Sequence, residues 1–206
     1  GTPCNKREPG SGCPARSGLN RNHAILGASE HCVAVHPSDL CVALAALEAQ
    51  VLVRGRAGER RVAFADFHRL PADTPERDNC LAVDELVTAI ELPAPRFARH
   101  CHYLKVRDRA SYAFALVSVA AALEPDGERI GELRLALGGV AHKPWRVAEL
   151  EERFRGHPAN RDSYVRFAEA LLRDARPLAH NAFKIGLARN AIVRALEEAH
   201  SGGIGQ

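Results

Sequence analysis

HCHYLKVRDRASYAFALVSVAAAL, residues 100–123, is the stretch from which the rest of the chain is read. Residues 100–106 alternate. Cys101, Tyr103 and, by the same alternation, Lys105 fall on one face, and His102, Leu104 and Val106 on the other. That period belongs to a strand buried on one side. Arg107, Asp108 and Arg109 form a charged turn, and residues 114–123 then run small and apolar without a charge, as strands buried on both faces do. An ammonium is costly to bury unpaired, so Lys105 is expected to face a cleft, an anion or a ligand. The plainer reading is an edge-strand lysine that snorkels to water.

Working outward toward the N-terminus, Pro93, Ala94 and Pro95 read as a linker. Before it, ELVTAIEL (85–92) alternates as a strand and stops at Pro93. Residues 51–55 and 60–64 read as a hairpin, followed by a short helical turn from Ala65. Ser38 is placed to cap a helix running to about Gln50, with Asp39 in its first turn and Leu40, Leu44 and Leu47 at helical spacing. Toward the C-terminus, residues 124–127 (EPDG) read as a turn and 130–137 as a strand. Residues 148–154, 163–173 and 183–199 read as three helices, the last preceded by His180 and Asn181 as a cap. The Gly138-Gly139 pair lacks the strand–GxGxxG–helix context of a dinucleotide fingerprint.

Composition narrows the function. The 206 residues carry 28 Lys+Arg against 25 Asp+Glu, a net charge of +3, which is too balanced to imply nucleic acid. No apolar run approaches the ~20 residues of a membrane span, so no membrane partner is expected. Six cysteines in a chain this long point to metal binding or plain burial and not to a disulfide scaffold. Residues 1–32 are a loop rich in Pro and Gly, which needs a functional explanation at that length. Cys4, Cys13 and Cys32, spaced C-x8-C-x18-C, offer one, because thiolates ligate iron–sulfur clusters and a four-iron cluster takes four of them. The close C-x2-C pairs of a zinc ribbon are absent.

Tyr103-Leu104-Lys105, Arg109, Ser38-Asp39-Leu40, ELVTAIELP and the opening PCNKREPGSGC together resemble the FAD-binding (medium) subunit of molybdenum hydroxylases, the xanthine dehydrogenase and aldehyde oxidoreductase group. The resemblance runs along nearly the whole chain, to NAFKIGLARNAIVRAL near its end. It implies FAD contacts from Ser38, Asp39, Leu86 and Lys105, with Asp39 toward the ribityl chain and ring edge and Lys105 stabilising the reduced flavin. In a subgroup that carries an extra [4Fe-4S] cluster, Cys4, Cys13 and Cys32 match three of the four ligands, the fourth lying upstream. The family's Gly-rich loop, which cradles the FAD pyrophosphate, precedes these motifs and is not in this sequence. With the absence of methionine, this leads to the expectation of an amino-terminally truncated chain, inactive by itself.

The resulting expectation is an α+β protein. Residues 1–95 form the second half of a flavin-binding domain, a mixed sheet with helices and an iron–sulfur loop. Residues 96–200 form a three-stranded antiparallel sheet packed on three helices. The implied partners are a small [2Fe-2S] subunit and a large molybdenum-cofactor subunit, in either the cytoplasm or the periplasm. A competing reading is an assembly module of the same fold that binds no flavin.

Overall fold

The computed structural model describes residues 1–97 and 99–202. It contains two three-stranded sheets and five α-helices. After a loop broken only by the 3-10 turn Pro14–Arg16 come α1 (Asp39–Ala46), β1 (Gln50–Gly55), β2 (Gly58–Ala63), α2 (Phe64–Phe67) and β3 (Leu86–Glu91). They are followed by β4 (Cys101–Val106), β5 (Val117–Asp126), β6 (Arg129–Gly138), α3 (Ala148–Phe154), α4 (Arg161–Leu171) and α5 (Phe183–His200). None of the described helices is long and apolar enough to cross a membrane.

The α+β class and the second sheet, ordered β4-β5-β6 and antiparallel, are as the sequence led us to expect. The first sheet differs in one respect. Its order is β2-β1-β3 and both pairings are antiparallel, so it is not mixed. The sequence marks the β1–β2 hairpin locally, but the return of β3 to the other edge of β1 involves residues some distance away in the chain. The first helix also stops early, at Ala46 in place of Gln50, because Glu48 takes a left-handed φ of 56°. That conformation is uncommon for a residue with a Cβ, and no glycine announces it. Asn181 does not cap α5. The N-cap position is Ala182, and the Asn181 side chain accepts from the Leu178 amide at 2.6 Å instead.

The core explains how α1 reaches the second sheet. Val117, Val119, Ala121 and Leu123 of β5 join Leu133, Leu135 and Leu137 of β6 against Phe167 and Leu171 of α4 and Ile192 and Leu196 of α5. Their alternate neighbours on the other face are small. Ser118 pairs with Gly138 and Ala120 with Ala136. On this shallow face Val42, Leu44 and Ala45 of α1 pack with Ala120, Ala136 and the β1 valines. A Cβ on Gly138 would stand 2.4 Å from Ser118 Oγ and 2.5 Å from Val42 Cγ2, so the helix approaches as closely as glycine permits.

The long N-terminal loop is sewn to the second unit by buried polar groups. Ile25 and Leu26 amides donate to the Val140 carbonyl, and the His36 amide to Ala141. Asn20, fully buried, donates to Ala15 and Arg16 carbonyls and accepts from the His180 amide. Lys184, also fully buried, places its ammonium among the carbonyls of Asn22, His23 and Gly139. Backbone carbonyls thus meet the need of a buried cation for polar partners.

Candidate functional site

Residues paired across an antiparallel ladder share a face of the sheet. Tyr103 lies opposite Ala120 and Lys105 opposite Ser118, so both side chains emerge on the shallow face where α1 packs. The start of α1 sits over them. Lys105 Nζ donates to Asp39 Oδ2 at 2.6 Å, and Tyr103 Oη donates to Asp39 Oδ1 at 3.0 Å. Ser38 fixes the helix end, its hydroxyl accepting from the Cys41 amide at 3.2 Å. The carboxylate is therefore held at the positive end of a helix and clamped by an ammonium and a phenol. Burial, with the neighbouring carboxylate adding to it, pushes the Tyr103 phenol well above its ordinary range, so it remains a donor. The pair is still reached by solvent, with 23% of the Lys105 and 38% of the Asp39 side chain exposed.

Next to Ser38, at Pro37, begins a cavity of about 300 Å³ lined largely by apolar groups, among them Val35, Tyr112, Phe114 and Leu116. Arg109 Nε donates to the Tyr112 carbonyl at 3.2 Å and holds this wall. Leu86 stands elsewhere. It lies on β3 opposite Arg54 and is 71% exposed, and no extensive contact joins β3 to β4 or α1.

Cys4, Cys13 and Cys32 do come together, lining one cavity of about 280 Å³ with Lys6, Arg7 and His23. All three are free thiols. The Lys6 amide, and then Arg7, bias the Cys4 thiol toward its anion, whereas burial pushes the Cys32 thiol up. Asn5 organises the rim. Its Oδ1 accepts from the Gly12 amide at 2.7 Å, and its Nδ2 donates to the His31 carbonyl at 2.8 Å. Behind Cys32 stands His142, with Nδ1 at 4.0 Å from Sγ and Nε2 at 3.1 Å from Asp78 Oδ1, a carboxylate that Lys6 also reaches. Cys41, Cys80 and Cys101 do not line this cavity.

Asp39 and Lys105 are thus joined, Ser38 caps the same helix, the three cysteines share a cavity, and Leu86 is apart. Tyr103 was visible as part of the alternation, but its contact with Asp39 was not. Asp78 and His142 carried no local signal, since an acid in a polar loop and a histidine before a lysine are ordinary surface residues until the fold brings them to Cys32.

The chain matches two family models, the FAD binding domain in molybdopterin dehydrogenase over residues 20–95 and the CO dehydrogenase flavoprotein C-terminal domain over residues 102–199. It is 46% identical over 201 residues to the aldehyde oxidoreductase FAD-binding subunit PaoB of Escherichia coli, covering 97% of this chain and 59% of that protein. It is 36% identical over 125 residues to the glyceraldehyde dehydrogenase medium chain of Sulfolobus acidocaldarius, 61% of this chain and 42% of that one. The chain therefore spans about three fifths or less of the length of these curated relatives. Among solved structures, quinoline 2-oxidoreductase from Pseudomonas putida 86 superposes with a TM-score of 0.66 at 23% identity, covering 91% of this chain and 61% of that one. Carbon monoxide dehydrogenase from Hydrogenophaga pseudoflava gives 0.68 at 21% identity, covering 80% and 60%. These two similarities bear on the fold alone; on the two family models and the two curated relatives, the chain belongs to the family of FAD-binding (medium) subunits of the molybdenum hydroxylases.

Proposed function

We propose that this chain holds FAD in the electron-transfer path of a molybdenum-dependent aldehyde or xanthine-type oxidoreductase. The observation that carries the reading is the convergence of Asp39 with Tyr103 and Lys105 at the start of α1, two residues after Pro37, which lines an apolar cavity. The donor set suits a flavin: a carboxylate to accept from ribityl hydroxyls, an ammonium to meet negative charge at a ring edge, and an apolar wall for a flat aromatic system. Bound FAD would supply the redox chemistry, accepting electrons from iron–sulfur clusters and handing them to an external acceptor. The protein's own part is to position and tune. Ser38 holds the helix end, Asp39 retains the cofactor and Lys105 favours its reduced anion, whereas Leu86, which the family resemblance also assigns to the flavin, stands apart from these groups on β3. We place the division between the flavin-binding portion and the C-terminal portion near residue 95.

Cys4, Cys13 and Cys32 are assigned to three irons of a [4Fe-4S] cluster. Their shared cavity and the bias of Cys4 toward thiolate support this. The donor set fits three positions, and the fourth ligand comes from outside the residues that line the cavity. The expected partners are a small [2Fe-2S] subunit and a large molybdenum-cofactor subunit, and the names of the relatives favour an aldehyde as the compound oxidised.

The test uses the assembled enzyme. Lys105→Ala should lower the flavin reduction potential, since a charge-assisted contact is worth roughly 1.5–3 kcal/mol. Asp39→Ala should mainly reduce flavin content. An unchanged potential in the first and full flavin in the second would leave both residues as structural groups and favour an assembly module. For the cluster, Cys4→Ser and Cys13→Ser should each remove about four irons and the matching absorption, while Cys80→Ser keeps them.

A further inference from the structure

We propose a second, separate metal site, formed by His36, Cys41 and His68 and suited to zinc or a comparably soft divalent ion. The ligand atoms of the three residues lie within 4.8 Å of one another. They arrive from three parts of the chain: the segment before α1, the first turn of α1, and the residue just after α2. Each backbone is anchored. The His36 amide donates to Ala141, the Cys41 amide to Ser38 Oγ, and His68 forms a bridge with Asn79.

An independent observation concerns the rings. His36 Nε2 and His68 Nδ1 are both buried, and neither has a hydrogen-bond partner. Buried polar atoms are nearly always satisfied, so two orphaned nitrogens on adjacent rings, 4.4 Å between centroids, require a partner. Phe64 and Phe67 meet the His68 ring at 5.3 and 5.0 Å and fix its plane.

One thiolate and two imidazoles make a borderline-soft donor set, with no carboxylate among the three that would suit magnesium or calcium. Zinc bonds of about 2.0 Å to nitrogen and 2.3 Å to sulfur bring tetrahedral ligands to within about 3.3–3.8 Å of each other. The side chains would therefore close by about an ångström. Three protein ligands leave a fourth position for water. Binding transfers the Cys41 thiol proton to solvent, with no change of oxidation state. Cys41 lies two residues beyond Asp39, so the ion would clamp the start of α1 and with it the carboxylate over Lys105. The site shares no residue with the Cys4, Cys13 and Cys32 cavity and does not depend on flavin.

Elemental analysis of the assembled enzyme tests this, followed by Co²⁺ added to the chelator-stripped protein. The expected result is about one zinc per chain, replaced by cobalt with a thiolate charge-transfer band and tetrahedral d–d absorption. Cys41→Ser should abolish the charge-transfer band, and His68→Gln and His36→Gln should each weaken cobalt binding by about tenfold or more. Background zinc together with no such band in the wild-type protein would overturn the proposal, whether or not the variants fold. A band of full intensity in Cys41→Ser would overturn it too, by placing the ion on the N-terminal cysteines.

Discussion

The two sheets have the same strand number and the same antiparallel pairing, yet they are used differently. In the second sheet β5 is buried from Val117 to Leu123, with α4 and α5 on one face and α1 on the other. In the first sheet β3 is exposed along nearly its whole length, including Leu86, Val87 and Ile90. One sheet is a scaffold and the other presents an open edge strand. The difference shows where stability and site geometry originate. Lys105 and Tyr103 are mounted on the covered sheet, whose packing fixes their direction, whereas Leu86 is mounted on the open one.

The sharpest test of that contrast is truncation of matched apolar residues. Leu123→Ala, at a fully buried position, should cost about 2–5 kcal/mol in denaturant unfolding. Ile90→Ala on β3, 43% exposed, should cost less than about 1 kcal/mol. Equal losses would mean that β3 is buried in the working protein.

Lys184 tests how the N-terminal loop is tied to the covered unit. Burial, aided by the charge of Arg21, lowers its pKa to about 8 from 10.5. The folded protein then releases this proton before the unfolded chain does. The destabilising contribution is full below about pH 8, and stability rises with pH between about 8 and 10.5, by at most about 3 kcal/mol. Lys184→Met should erase that rise. At pH 7 the relief of that penalty opposes the loss, about 1–3 kcal/mol, of the donor shared by the carbonyls of Asn22, His23 and Gly139, so the net change there is smaller than the larger of the two. Unfolding free energies measured from pH 7 to 10.5 separate the two effects.

Gly138→Val examines the shallow face directly. The added side chain meets Ser118 and Val42, so α1 must shift, at a cost of about 1–3 kcal/mol. The shift should also loosen Asp39 from Lys105, which would appear as reduced flavin retention with the site residues unchanged. The smallest effect on stability is expected for Asp39→Asn. The ion pair it removes is partly exposed, and such pairs contribute about 0–1 kcal/mol. A large loss would mean that the carboxylate is chiefly a packing element.

Much of the second unit was legible because each strand and helix there has a one-sided or fully apolar pattern that only its own period explains. The alternation Tyr103-Leu104-Lys105 correctly separates the two faces of β4, and the cost of burying an ammonium correctly requires a partner for Lys105. The resemblance put Asp39 and Lys105 at one flavin, but that Asp39, 66 residues earlier, is itself the partner was decided by the fold. The end of α1 was misplaced because Ala46 to Gln50 contains only residues that tolerate a helix, while the left-handed turn at Glu48 is imposed by the need to start β1.

The sequence by itself determined the strand and helix types, the small residues of the shallow face and the three N-terminal thiols, because these depend on local period and side-chain chemistry. Tertiary structure alone decided which groups meet. It set Asp39 on Lys105 and Tyr103, His142 behind Cys32, and His36 beside Cys41 and His68. The physical reason is range. Propensity and patterning act over a few residues, whereas each of these groupings is made by packing α1 onto a face that a glycine and two alanines keep low, or by drawing the N-terminal loop onto the far end of β6.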